Sequence, residues 1–168
     1  MEFSIREMTV DDAPAVAEVH VRSWLATYDG LLDADLLASL GVAERTTMWT
    51  SVLSSPNDGV RLLVERGGEA VGFLAGGSSS PSDPDAAEVF SIYLDPSVWR
   101  RGLGSTLLDA GVDGLRADGP KPVVLWVMDG NDAACRFYEA RGWRFDGARK
   151  DEQVGAALVP HLRYRLAP

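Results

Sequence analysis

Apolar residues recur along this chain at two spacings, every second position and every third or fourth, and the switches between them mark out its elements. Phe3–Arg6 reads as a short strand. Thr9-Val-Asp-Asp-Ala-Pro then offers a cap and an early proline, which predicts a helix from Ala13 to about Tyr28. On that helix Ala13, Ala17, Val21 and Leu25 make one stripe, predicted to face the core, with Val16, His20, Trp24 and Tyr28 as a second stripe beside it. Asp33 or Ser39 can cap further helical pieces through Leu40 and over Ala43–Leu53, and the turn formers Ser54-Ser-Pro-Asn-Asp-Gly close this helical part. Val60–Glu65 and Ala70–Ala75 flank Arg66-Gly67-Gly68-Glu69 and predict an antiparallel hairpin with Gly-Gly in its turn. Gly76 to Asp85, rich in Ser, Pro and Asp, reads as a flexible loop inside a domain.

Beyond that loop Glu88–Leu94 and Val123–Met128 are strand-like. Between them Gly104 to about Ala117 carries Leu107, Leu108, Val112 and Leu115 at helical spacing, which makes a βαβ unit with parallel strands. A last helix over about Asp132–Arg141 stops at Gly142, and Trp143–Val154 with Leu158–Leu166 finishes as a strand pair. There Leu162, Tyr164 and Leu166 alternate with His161, Arg163 and Arg165. No internal repeat is present, and the pattern is that of an α/β protein.

Composition narrows the function. A length of 168 residues is typical of one domain, and 16 basic against 25 acidic residues give a formal net charge of −9. That charge opposes binding to nucleic acid or to anionic membrane and favours cationic partners. Cys135 is the lone cysteine and can form neither an internal disulfide nor a zinc site, and His20 and His161 are too few for a metal centre. No secretion signal opens the sequence and no apolar run approaches the roughly 20 residues that span a bilayer, so the expected location is the cytoplasm.

The densest chemical signal is Leu94 to Gly111, "LDPSVWRRGLGSTLLDAG", where a strand stops, two glycines follow and a helix begins. Glycines at 102 and 104 leave backbone N–H groups unshielded at a helix start, where the dipole and the unpaired donors attract a phosphate. A tight turn with nothing bound would look the same in a lone Gly-x-Gly. A Rossmann fingerprint needs a glycine where Leu107 stands, and a Walker loop needs Gly-Lys-Ser/Thr, which is missing.

Trp99-Arg100-Arg101-Gly102-Leu103-Gly104 resembles the Gln/Arg-x-x-Gly-x-Gly/Ala loop of the GNAT superfamily of acyl-CoA-dependent N-acyltransferases, with Trp99 in place of Gln or Arg. The likeness extends through "EVFSIYLDPSVWRRGLGSTLL" and "NDAACRFYEARGWRFDGARK", covering Ala87 to Lys150, and more loosely through "VHVRSWLATYDGLL". It implies one GNAT domain over residues 1–168, with a mixed, mostly antiparallel sheet whose parallel central strands splay apart around an acyl-CoA, most commonly acetyl-CoA. Amides of Arg101, Gly102, Leu103, Gly104 and Ser105 would hold the pyrophosphate, Arg100 and Arg101 could add side-chain contacts, and the pantetheine would pair with strand backbone near Ile92 and Leu94.

The resemblance gives Tyr138 the role of protonating the CoA sulfur. Asn131 and Tyr138 are seven residues apart, two helical turns, and so share a face; Asn131 would also cap the helix. Glu88 is the carboxylate nearest the expected thioester and the candidate base, while Cys135 lacks a positioned His and is expected to pack. Trp24, Tyr28 and Tyr93 are expected to line the acceptor pocket. The function implied is transfer of an acetyl group to the primary amine of a small molecule or peptide by direct attack, with no metal and with homodimer formation left open. A non-catalytic acyl-CoA sensor or a regulatory domain is the alternative, opposed by Tyr138 and by the intact glycines.

Overall fold

A computed structural model of the protein describes residues 2–56 and 59–168; Asn57 and Asp58 of the expected turn lie outside them. The elements are β1 (Phe3–Glu7), α1 (Ala13–Tyr28), α2 (Ala34–Ala38), α3 (Val42–Ser54), β2 (Val60–Arg66), β3 (Glu69–Ser78), β4 (Ala87–Leu94), α4 (Leu103–Leu115), β5 (Val123–Met128), α5 (Asp132–Glu139), β6 (Arg144–Val154) and β7 (Ala157–Leu166). They form a seven-stranded sheet of order β1-β2-β3-β4-β5-β7-β6, in which β4 and β5 are the parallel neighbours. α4 makes the crossover between them, as a parallel pair requires. Asp33 caps α2, its carboxylate accepting from the N–H groups of Asp35 and Leu36.

Two apolar layers sandwich the sheet. On one face Leu107, Leu108 and Val112 of α4 pack with Leu74, Val89, Leu125 and the wholly buried Trp143. On the other, Val16, Val19 and Trp49 of α1 and α3 cover Leu63 and Phe73. Ala13, Ala17 and Val21 of the expected core stripe are buried, but Leu25 is 41% exposed. By its last turns α1 has run past the sheet's first core, and its inward positions there are taken by Ser23 and Trp24.

A bulge in β4 sets the site. Ala75 pairs with Ser91 and Gly76 with Val89, so Phe90 is the extra residue and is left 59% exposed. Because side chains alternate strictly, one inserted residue inverts the phase: Ala87 and Val89 face α4 before it, Ile92 and Leu94 after it, and Tyr93 turns to the α1 layer. At the same place β4 leaves β5, to which it pairs only through Ala87, Glu88 and Val89, opposite Val123, Val124 and Leu125.

The loop expected over Gly76–Asp85 is shorter, since β3 continues through Ser78. Its acidic end is also held down: Asp83 binds Arg163 at 3.3 Å and Arg165, while Asp146 holds the same two arginines at 2.7 and 3.2 Å. The alternation read in β7 puts Leu162, Tyr164 and Leu166 against the core and leaves the arginines to these carboxylates.

Candidate active site

The fork between β4 and β5 is the centre of a groove of about 1180 Å³. Asp95 N–H donates to Val71 O at 2.8 Å. Hydrogen-bonded and non-bonded pairs alternate along an antiparallel ladder, so Tyr93 and Ser91 bond to β3 as well, and the main-chain groups of Ile92 and Leu94 turn toward the fork. Leu94 O is already satisfied, accepting from Ser23 Oγ at 2.9 Å and from Trp99 Nε1 at 2.7 Å. Among the described residues Ile92 N–H and C=O and Leu94 N–H remain open on this edge, where an extended ligand arm could pair. Trp99, the position that departs from the Gln or Arg of the motif, therefore ties the glycine loop to the end of β4.

Within that loop Arg100 sits at φ 59° and Gly102 at φ 77°, left-handed backbone that glycine adopts without strain. The first bonds of α4 run from Ser105 and Thr106 N–H to Gly102 O, at 3.1 and 3.2 Å. The N–H groups of Gly102, Leu103 and Gly104 precede them and have no acceptor among the described residues. Together with the dipole of a 13-residue helix they form an anion cradle. Ser105 lines the groove, with its N–H already turned back on Gly102 O; Leu103 buries its side chain in the core and offers backbone alone. Arg100 lines the groove, whereas Arg101 is exposed and outside its lining.

Asn131 and Tyr138 both reach the groove from α5. Asn131 Oδ1 accepts from Ala134 N–H at 3.3 Å, the expected cap, which leaves its NH2 group for the groove. Tyr138 is 8% exposed, its ring among Phe137, Trp143 and Tyr164. Burial pushes its phenol well above the ordinary value, so at neutral pH the proton stays on oxygen.

Glu88 stands in the wall between the groove and a smaller cavity of about 520 Å³ lined by Ser79, Ser80, Trp126 and Lys150. Ser79 Oγ donates to it at 3.3 Å. Burial raises its carboxyl pKa, and the positive charge of Lys150 opposes the rise. Cys135 is half-buried and packs beside the α4 layer. Among the described residues no three His, Cys, Asp or Glu side chains gather as a metal site.

Trp24, Tyr28 and Tyr93 come together at the far end of the groove. The Tyr28 and Tyr93 hydroxyls are 3.1 Å apart, and Trp24 packs on the Tyr28 ring at 4.8 Å. Sequence reasoning placed His20 in this stripe without giving it a function. The structure stacks it on Tyr93 at 5.3 Å, and Trp49 Nε1 donates to its Nδ1 at 3.1 Å. Burial, aided by Arg45, lowers its pKa to about 3, so the ring is neutral and its proton sits on Nε2. Arg45, on α3, also went unmarked; its Cζ lies 5.5 Å from the Trp24 ring centroid. Nothing in the local sequence signals either relationship.

Comparison with known proteins adds four findings. The model of the Acetyltransferase (GNAT) family matches residues 19–143. A probable N-acetyltransferase of Mycobacterium tuberculosis is 27% identical over 164 residues, covering 96% of this chain and 92% of that protein. An uncharacterized N-acetyltransferase of Bacillus subtilis, YuaI, is 31% identical over 138 residues, 82% of this chain and 78% of its own length. The crystal structure of the PaiA N-acetyltransferase of Thermoplasma acidophilum, in complex with coenzyme A, superposes with a TM-score of 0.75 at 21% identity over the full length of both chains.

Proposed function

The chain belongs to the GNAT family of acetyltransferases, and from that premise we propose that its 168 residues act as one domain that transfers an acetyl group from acetyl-CoA to a primary amine of a small molecule or peptide. The observation that carries this reading is the coincidence, in one groove, of the unpaired Gly102–Gly104 amides, the open edge of β4 at Ile92 and the buried hydroxyl of Tyr138. The amides and the helix dipole suit a pyrophosphate, and the β4 edge suits the amide-bearing pantetheine arm.

In the proposed reaction the amine attacks the thioester carbonyl directly, so a C–N bond forms, the C–S bond breaks, and no covalent enzyme species intervenes. Ile92 N–H, which faces the fork, is the donor for the carbonyl oxygen as it gains negative charge. Tyr138 gives its proton to the departing sulfur. Glu88 takes a proton from the amine, directly or through water, and its second exposure toward the smaller cavity offers that proton a way to solvent. A carboxylate raised by burial is a stronger base than an exposed one, in keeping with this role. The net charge of −9 favours acceptors that bring a positive charge.

Calorimetric titration of the protein with CoA and acetyl-CoA, followed by a thiol-release assay over a panel of amines, tests the reading. Binding of both and release of CoA only when an amine is present are expected. A folded protein that binds neither ligand would refute it, and binding without transfer to any amine would favour an acyl-CoA sensor. Gly104→Ala gives a control, because a Cβ at Gly104 lies no closer than 3.4 Å to Leu94 and 3.6 Å to Phe137: the fold accommodates the methyl group, and the loss is expected in CoA affinity.

A further inference from the structure

Arg45 is the unexplained charge of the groove. It lines the cavity half-buried, and among the described residues no carboxylate lies within salt-bridge distance of it. Its one hydrogen-bond partner there is the weak acceptor Met48 Sδ, at 3.6 Å. Arg6, Arg22, Arg141, Arg149, Arg163 and Arg165 are each paired with a carboxylate, and Arg100, the other arginine of the groove's lining, stands at the glycine loop. A guanidinium left unpaired inside a groove, in a chain rich in acid, is a binding group for an anion.

Its surroundings are donors too. His20 receives Trp49 on Nδ1 and so presents an Nε2–H that has no acceptor among the described residues. Trp24 Nε1–H is buried and directed toward Tyr93 without reaching hydrogen-bond geometry. The groove's carboxylates, Glu88 and Glu152, belong instead to β4 and β6, where Glu152 also meets Lys150 at 3.6 Å and His161 at 3.7 Å. The carboxylates thus come from the sheet and the donors from the helices, while Leu32, Leu36 and Leu40 add apolar lining. The Trp24 ring is not free to hold an ammonium by a cation–π contact, because the Arg45 guanidinium already lies over it.

We propose that the acceptor is an α-amino acid or a close analogue with an apolar side chain, its carboxylate bound by Arg45 with His20 Nε2–H, and its amine turned toward Glu88 and Tyr138. The inference rests on the acetyltransferase reading above and narrows it. A zwitterion carries no net charge, so the acidic surface does not repel it, while its ammonium still meets the sheet-side carboxylates.

The test compares L-leucine and L-methionine with their carboxamides and with isoamylamine, each with acetyl-CoA. The free acids are expected to have a kcat/KM about tenfold or more above the amides, the scale of a lost charge-assisted contact. Arg45→Met, which keeps the apolar stem, brings that ratio to within about twofold, and Arg45→Lys restores part of it. Binding of N-acetyl-L-leucine against N-acetyl-L-leucinamide to the protein with CoA bound gives a second readout that needs no turnover. Amides handled as well as acids, in turnover or in binding, or a ratio indifferent to Arg45→Met, would overturn the proposal. CoA affinity measured in the same titration separates the failures: without CoA binding the acetyltransferase reading falls, whereas CoA binding with no acid preference removes this inference alone.

Discussion

Trp99 donates its indole N–H to the carbonyl oxygen of Leu94 at 2.7 Å, and this bond joins the anion-binding loop to the strand edge at which β4 leaves the sheet. Both halves of the proposed acyl-CoA site hang on it. Replacing Trp99 by Phe keeps most of the apolar area and removes the donor, leaving Leu94 O to Ser23 alone. The expected cost is about 1 kcal/mol of stability, in the range for one neutral hydrogen bond, with a several-fold weaker CoA affinity. Urea melts and calorimetric titration of the variant check both; unaltered CoA binding would show that the loop is held without Trp99.

Tyr138→Phe leaves the ring packed against Trp143 and Tyr164 and takes away the hydroxyl. As a general acid acting on the departing sulfur, that hydroxyl is expected to matter in the transition state alone, so kcat should fall about a hundredfold while CoA affinity stays near wild type. A pre-steady-state measurement of the chemical step distinguishes this from slow product release. Equal rates of that step in the two proteins would take Tyr138 out of the acid role.

Glu88 supplies a pH prediction with a definite sign. Its carboxyl pKa is raised in the folded protein by burial, so the proposed base is protonated at low pH and kcat/KM should climb through a pKa above the ordinary glutamate value. In Glu88→Gln this acid limb should vanish together with most of the activity. Stability moves the other way: the folded carboxyl binds its proton more tightly than the unfolded one, so stability falls as pH rises from the unfolded pKa through the folded one. Glu88→Gln should therefore raise the melting temperature above that window and not below it. Melting curves across the acid range decide the matter.

His20 gives the opposite slope, in a window that overlaps that of Glu88 and extends below it. With its pKa lowered to about 3, it is neutral in the folded protein but takes a proton on unfolding at any pH below its ordinary value of 6.5. Stability should thus decline as pH drops from about 6.5 toward 3, and Asp12, held near 2 by hydrogen bonds from Arg6, adds to the loss once pH falls below its ordinary value of 3.8. His20→Asn should flatten this part of the pH–stability curve. A wild-type slope unchanged in the variant would mean that another group takes up the proton.

The elements, their order and the βαβ crossover were legible in the sequence because hydrophobic period, caps and glycines act over a few residues. The glycine loop was legible for the same reason, since Gly102 at φ 77° and the free amides after it follow from local backbone chemistry. Asn131 and Tyr138 could be set on one face by counting helical turns, while the acid role came from family resemblance. The Phe90 bulge could not be seen: it inverts the facing of Ile92, Tyr93 and Leu94, yet it is defined only by register against β3. His20 was visible as a residue, but its tautomer is set by Trp49, 29 positions away, and its neutrality by burial. Arg45 looks like any helical arginine in the sequence, and packing of α3 against α1 sets it over Trp24 with no carboxylate among the described residues in ion-pairing reach. Local sequence determines which backbone groups can be left free. Which side chains meet across the groove, with what charge, is decided only when distant segments close over one another and exclude water.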